Sequence, residues 1–193
     1  QLDAERDEAR SELADLARDW QKEMKADGRE PMPFDRSISW SVVTDLPGWL
    51  SLSGGAYEFT GGAHGNSSSF ALLWDKAAGR RREPLALFVS KEAFDAALRD
   101  PYCALLNKER AKRREQPVDP NSGDEFDRCL DPSGVTVLLG SSDRKHFTRI
   151  GLIADPYAAG PYVEGEYEVT VPVTPALLKA VKPEYRSAFA LGR

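Results

Sequence analysis

Any chemistry in this chain has to come from few residues. There are two histidines, His64 and His146, and two cysteines, Cys103 and Cys129, in 193 residues. His64 sits in a glycine-rich segment, TGGAHGN, just ahead of the serine run Ser67 to Ser69. A small hydrolase could be assembled from His64, an acidic partner such as Asp155 or Asp75, and one of those serines, because an imidazole acts as a base when another group orients its second nitrogen. The serines follow no GxSxG elbow, however, and a strand would bury alternate hydroxyls. The plainer reading of His64 is a side chain bonded within its own turn. Two histidines are too few for the common zinc hydrolase sites and the cysteines lack CxxC spacing, so no metal and no cofactor are expected.

The elements that would position these residues centre on Tyr57 to Trp74. Tyr57 and Phe59 alternate with Glu58 and Thr60, and Phe70, Leu72 and Trp74 alternate with Ala71 and Leu73. That is the period of two strands, each with a buried face. Gly61, Gly62 and Gly65 between them supply backbone conformations of positive φ. Upstream, Leu13, Leu16, Ala17, Trp20 and Met24 fall at helical spacing and predict a helix over 4–25, ended by Gly28, Pro31 and Pro33. Ile38, Trp40 and Val42 predict the buried face of another strand, and Asp75 to Arg82 reads as an exposed polar turn. Downstream, Ser90 caps a helix that stops before Pro101, a second helix runs from Tyr102 to about Arg114, and strands follow over 135–139, 147–154 and 167–173. Thr174 and Pro175 open a last short helix. The expected class is α+β, a mainly antiparallel sheet with helices packed on one side, divided into an N-terminal helix and linker over 1–36 and an α+β domain over 37–193.

Charge and composition narrow the partners. The chain is mildly acidic, net −5, and its longest basic run, KERAKRR, lacks interleaved aromatics, so no nucleic acid is expected. No run of about eighteen or more apolar residues exists to span a membrane. The sequence starts at Gln1, compatible with a trimmed chain or a mature exported protein. In an exported protein Cys103 and Cys129 would pair. The segment between them is polar, with little of its own to bury, and a bridge there would be worth about 3 to 4 kcal/mol.

Two segments together resemble a bacterial envelope module. The first is YEFTGGAHGN, followed by a strand, Asp75, Gly79 and LALF; the second is GLIADPYAAGPYVEGEYEVTVPVT, with Pro156, Tyr157, Ala159, Gly160 and the VTVPV strand. The module is the extracytoplasmic part of RsiV-type anti-sigma factors and the N-terminal region of PdaC-type peptidoglycan deacetylases. The likeness spans 37–185. It implies an exported, periplasmic or envelope-attached, non-catalytic domain that binds or senses cell-wall material or a wall-directed protein such as lysozyme. The chain shows neither a sigma-binding segment nor a deacetylase domain, so neither activity is implied. Gly61, Gly62, His64 and Gly65 form the signature turn; Pro156, Tyr157, Gly160 and Tyr162 form the candidate ligand or partner loop, with Tyr157 expected to pack over the sheet and Tyr162 to be exposed. The alternatives are the small hydrolase and a purely structural envelope lipoprotein, with a lipid anchor upstream of Gln1.

Overall fold

The computed structural model describes residues 2–192, with side chains from Arg6 onward. The expected class holds: helices lie apart from runs of antiparallel strands. In chain order they are α1 (Leu2–Ala26), β1 (Asp35–Asp45), β2 (Trp49–Phe59), β3 (Asn66–Asp75), β4 (Arg80–Arg82), α2 (Lys91–Arg114), β5 (Thr136–Gly140), β6 (Arg149–Ala154), β7 (Tyr167–Pro172) and α3 (Pro175–Ala180). Short 3-10 turns join several of them. The strands form two sheets, β1-β2-β3-β4 and β5-β6-β7.

The chain divides into two compact units, one of residues 1–38 and 56–67, the other of 39–55 and 68–193. In the first, α1 turns Leu13, Ala17, Trp20 and Met24 inward, and Met24 is buried. Leu16, which the spacing also assigned to the apolar face, is 57% exposed. Trp20 packs against Phe34, ring centroids 6.2 Å apart, and Arg36 pairs with Glu58 at 3.4 Å.

The second unit holds the main core. Sheet β5-β6-β7 is antiparallel, with Val137 opposite Leu152 and Leu152 opposite Val169. One face of it is covered by α2, which packs on β7 and α3. Phe94, Leu98, Tyr102 and Leu106 repeat every four residues along α2 and are fully buried. That stripe explains why α2 is one continuous helix rather than two. Pro101 removes one N–H from the helical ladder, a local cost of about 3 kcal/mol, but the core contacts continue on both sides of it. Ser90 caps α2 by accepting the Ala93 N–H, and Thr174 caps α3 by accepting that of Leu177. Phe88, Phe94, Phe147 and Phe189 add a chain of ring contacts 4.7 to 5.6 Å between centroids.

The first sheet reverses an expectation. Ile38, Trp40 and Val42 are 57, 47 and 66% exposed, and on β3 it is Leu73 that is buried while Trp74 is 39% exposed. Alternation gave the period, but over 35–42 of β1 both sides are exposed, and at the end of β3 the Trp74 side faces outward. Trp40 and Phe70 cover one another there in an edge-to-face contact at 4.8 Å, over Gly54, where a Cβ would fall 2.1 Å from the Phe70 ring. The arginine turn is also corrected: Arg80–Arg82 is strand β4, and Arg82 pairs with the buried Asp75 at 3.3 Å while lying over Tyr185.

Candidate functional site

The signature turn belongs to the first unit. Gly61 and Gly62 have φ of 95° and 96°, as expected. Gly65 serves a different need: its backbone passes so close to Tyr57 that a Cβ would lie 2.4 Å from the ring and hydroxyl. Gly61 similarly admits Trp20, 2.8 Å from where its Cβ would be. Glycine is fixed here by close approach as well as by dihedral. His64 is exposed, and its Nδ1 bonds the Gly65 carbonyl at 2.9 Å, within its own turn.

The other groups of the hydrolase reading are engaged structurally. Ser69 donates its hydroxyl to Asp155 at 2.6 Å and its N–H to the same oxygen at 2.8 Å, while Thr136 donates to the Ser69 carbonyl at 2.9 Å. This ties β3 to the second sheet. Here a carboxylate accepts the serine hydroxyl's hydrogen bond directly, without the imidazole that a triad interposes. Asp75 accepts from Ala78 N–H and Arg82. His146 bonds Asp143 at 2.8 Å, and that bond with the His146 and Lys145 amides holds the Asp143 carboxyl well below its ordinary value. Among the described residues, no group of His, Cys, Asp and Glu is arranged to hold a metal.

The loop PYAAGPY is braced from α2. Arg110, fully buried on α2, donates Nε–H to the Ala159 carbonyl at 2.8 Å and Nη1–H to Asn107 and the Arg128 carbonyl at 2.9 and 3.1 Å. Burial works against its charge and lowers its pKa. Arg114, one turn on, bonds Glu164 at 2.8 Å and Asp127 at 2.6 Å. Glu164 also accepts the Tyr167 hydroxyl. Burial pushes the Glu164 carboxyl up, but Arg114 and Tyr167 outweigh it and the net direction is down; the Tyr167 hydroxyl is pushed up to about 12 by burial and that carboxylate. Arg113 lies 4.0 Å over the Tyr167 ring and donates to the Glu164 and Glu166 carbonyls. Gly160 is required by contact: a Cβ there would fall 2.0 Å from Glu164 Oε2.

On this frame Tyr157 has φ 70°, a conformation that costs a non-glycine residue roughly 1 to 2 kcal/mol. It is 54% exposed, and its ring stands 5.5 Å from that of Tyr162, which is half-buried. The expected roles of the two tyrosines are thus exchanged. Cys103 and Cys129 are bonded, Cα atoms 5.4 Å apart. The bridge fixes the 126–129 segment beside α2, where Arg110 and Arg114 bind its carbonyls and Asp127. From sequence, KERAKRR reads only as a basic run without the aromatics of a nucleic-acid contact. The signal that would have found the clamp was periodicity: Arg110 and Arg114 continue the four-residue stripe of Phe94, Leu98, Tyr102 and Leu106.

Residues 1–67 match the family described as "Deacetylase PdaC". The match includes α1 and ends just past the signature turn; the second resembling segment, over 151–174, lies outside it. Among solved structures, the chain resembles a DUF3298 family protein from Pseudomonas aeruginosa PAO1, with TM-score 0.56 and 23% identity over 90% of this chain and 71% of that one. It also resembles a DUF3298 member from Bacteroides fragilis NCTC 9343, with TM-score 0.54 and 17% identity over 82% of this chain and 59% of that one. At these identities the structures share a fold. The PdaC match suggests an envelope-associated, extracytoplasmic domain. No curated protein matches the chain, and no described helix is long and apolar enough to cross a membrane.

Proposed function

We propose that this chain is a non-catalytic binding or sensing domain of the bacterial envelope, and that the PYAAGPY loop is its contact surface for a wall-directed protein such as lysozyme or for peptidoglycan. The observation that carries the reading is Tyr157: an exposed aromatic in an unfavourable backbone conformation, on a loop anchored from beneath by a buried arginine. Holding an aromatic in one exposed orientation lowers the entropy lost when a partner or a sugar ring covers it. The RsiV side of the resemblance supports a protein partner and the PdaC side supports the wall.

Binding of the purified chain to c-type lysozyme by calorimetry, with co-sedimentation on insoluble peptidoglycan, tests it. The expected result is binding to one of them that weakens about tenfold in Tyr157→Ala, as for a central aromatic anchor. Binding to neither would remove the reading. Tyr157→Gly relieves the backbone while deleting the ring, so a variant that is more stable yet binds worse would separate contact from folding.

A further inference from the structure

The face of sheet β5-β6-β7 away from α2 is covered only in part. It floors a cleft of about 420 Å³ within the second unit, whose opposite wall is Ser41 and Val43 of β1 and Ser53 of β2. The strand register fixes how the floor is laid out. One row across the sheet is Gly140, Arg149 and Pro172, the next Leu138, Gly151 and Thr170, and the third ends in Ile153 and Glu168. Two glycines thin this floor. A Cβ at Gly140 would stand 3.9 Å from Val43 on the opposite wall, and one at Gly151 3.3 Å from Leu138.

The charges are placed at the two ends. Arg149 and Glu168 are separated by two rows, four residues along the strands, or roughly 13 Å. Arg149 uses one Nη–H on the Ser141 carbonyl at 2.7 Å, and a guanidinium carries five donors. Between the charged ends lie the hydroxyls of Ser41, Ser53 and Thr170 and the narrow glycine floor. None of the lining residues is aromatic, so a sugar ring would find no face to stack on.

We infer that this cleft binds a short zwitterionic peptide in extended conformation, its carboxylate at Arg149 and its amine at Glu168. An extended chain of about four residues spans the same roughly 13 Å. Guanidinium forks match carboxylates, a carboxylate matches an ammonium, and the three hydroxyls can serve the peptide groups between. The glycines leave the depth that a backbone needs. This site is separate from the Tyr157 loop and stands or falls independently of it.

The probe is tetra-alanine, titrated into the isotopically labelled chain and followed by backbone amide shifts. The expected result is saturable shifts at Ser53, Gly151 and Thr170, with affinity falling roughly fivefold or more when either end of the peptide is capped as its amide or its N-acetyl form. Arg149→Gln should abolish the preference for the free carboxylate and keep that for the free amine; Glu168→Gln should do the reverse. Both positions are exposed, so the variants keep the fold, which the unshifted amides of the α2 core report. No shift up to roughly 10 mM peptide, shifts indifferent to capping, or shifts centred on another surface would each overturn the inference, as would a neutral chito-oligosaccharide that displaces the peptide from the cleft.

Discussion

Arg114 and Glu164 meet in a two-pronged contact, Nε to Oε1 at 2.8 Å and Nη2 to Oε2 at 3.1 Å, with both side chains less than one-sixth exposed. The same guanidinium holds Asp127 at 2.6 Å, so one cation serves two carboxylates, from the disulfide segment and from the turn after PYAAGPY. Removing it leaves both carboxylates, little exposed as side chains, without their cation. Arg114→Met is expected to cost about 3 kcal/mol, read as a lower urea midpoint at unchanged slope. Arg114→Lys should recover only part of that, since an ammonium cannot reproduce the fork. A change below 0.5 kcal/mol in Arg114→Met would mean that the pair is only a surface contact.

The same contacts set the response to acid. Glu164 and Asp127 both have folded values below their ordinary 4.5 and 3.8. For Glu164 burial opposes the shift and Arg114 and Tyr167 prevail; for Asp127 the Ser122 hydroxyl leads and Arg114 adds. A depressed carboxylate gives stability that is fully present above its unfolded value and is lost as pH falls through the folded one, because the unfolded chain takes up the proton first. Tm should therefore decline below pH 4.5 and be flat above it up to about pH 9, beyond which the raised Tyr167 hydroxyl brings its own alkaline loss. In Arg114→Met the decline should be shallower, retaining the parts due to Asp143, held low by His146 and neighbouring amides, to Glu92 and to the Ser122 bond on Asp127. Thermal scans across this window check it; an identical slope in wild type and variant would assign acid sensitivity elsewhere.

Reduction of Cys103–Cys129 should act on the loop as well as on global stability. The bridge closes a segment of 26 residues, for which chain entropy gives about 3 to 4 kcal/mol. Its release also frees the 126–129 segment of the clamp, so amide hydrogen exchange in 157–164 is expected to speed up under reductant before the β5-β6-β7 core opens. Exchange accelerating equally in both would show that the bridge stabilises the fold only as a whole.

What the sequence shows of this molecule depends on the scale of the interaction. Helix caps at Ser90 and Thr174 and the strand 167–173 are local, and they were legible. So was the pairing of the cysteines as a physical expectation. Pro101 misled because its local cost was weighed without the stripe of Phe94, Leu98, Tyr102 and Leu106 that runs through it. The arginine clamp was hidden for a related reason: charged residues at core spacing read as solvated unless their partners, here a carbonyl at Ala159 and carboxylates at Asp127 and Glu164, are already in place. Tyr157 and Tyr162 are equal in sequence context, and only the backbone conformation of the folded loop distinguishes them.

The outward apolar face of the first sheet gives the sharpest contrast. Alternation alone does not show whether a strand is covered at all, and over 35–42 of β1 both sides, the serines as well as Ile38, Trp40 and Val42, are in solvent. Val42→Thr, at 66% exposure, should therefore change stability by less than about 0.5 kcal/mol. Leu73→Ala, on the buried side of β3 at 0% exposure, should cost about 2 to 5 kcal/mol, the lost transfer energy plus the cavity left behind. Guanidinium unfolding of the two variants measures both. A Val42→Thr loss comparable to that of Leu73→Ala would mean that the face is covered in the folded protein.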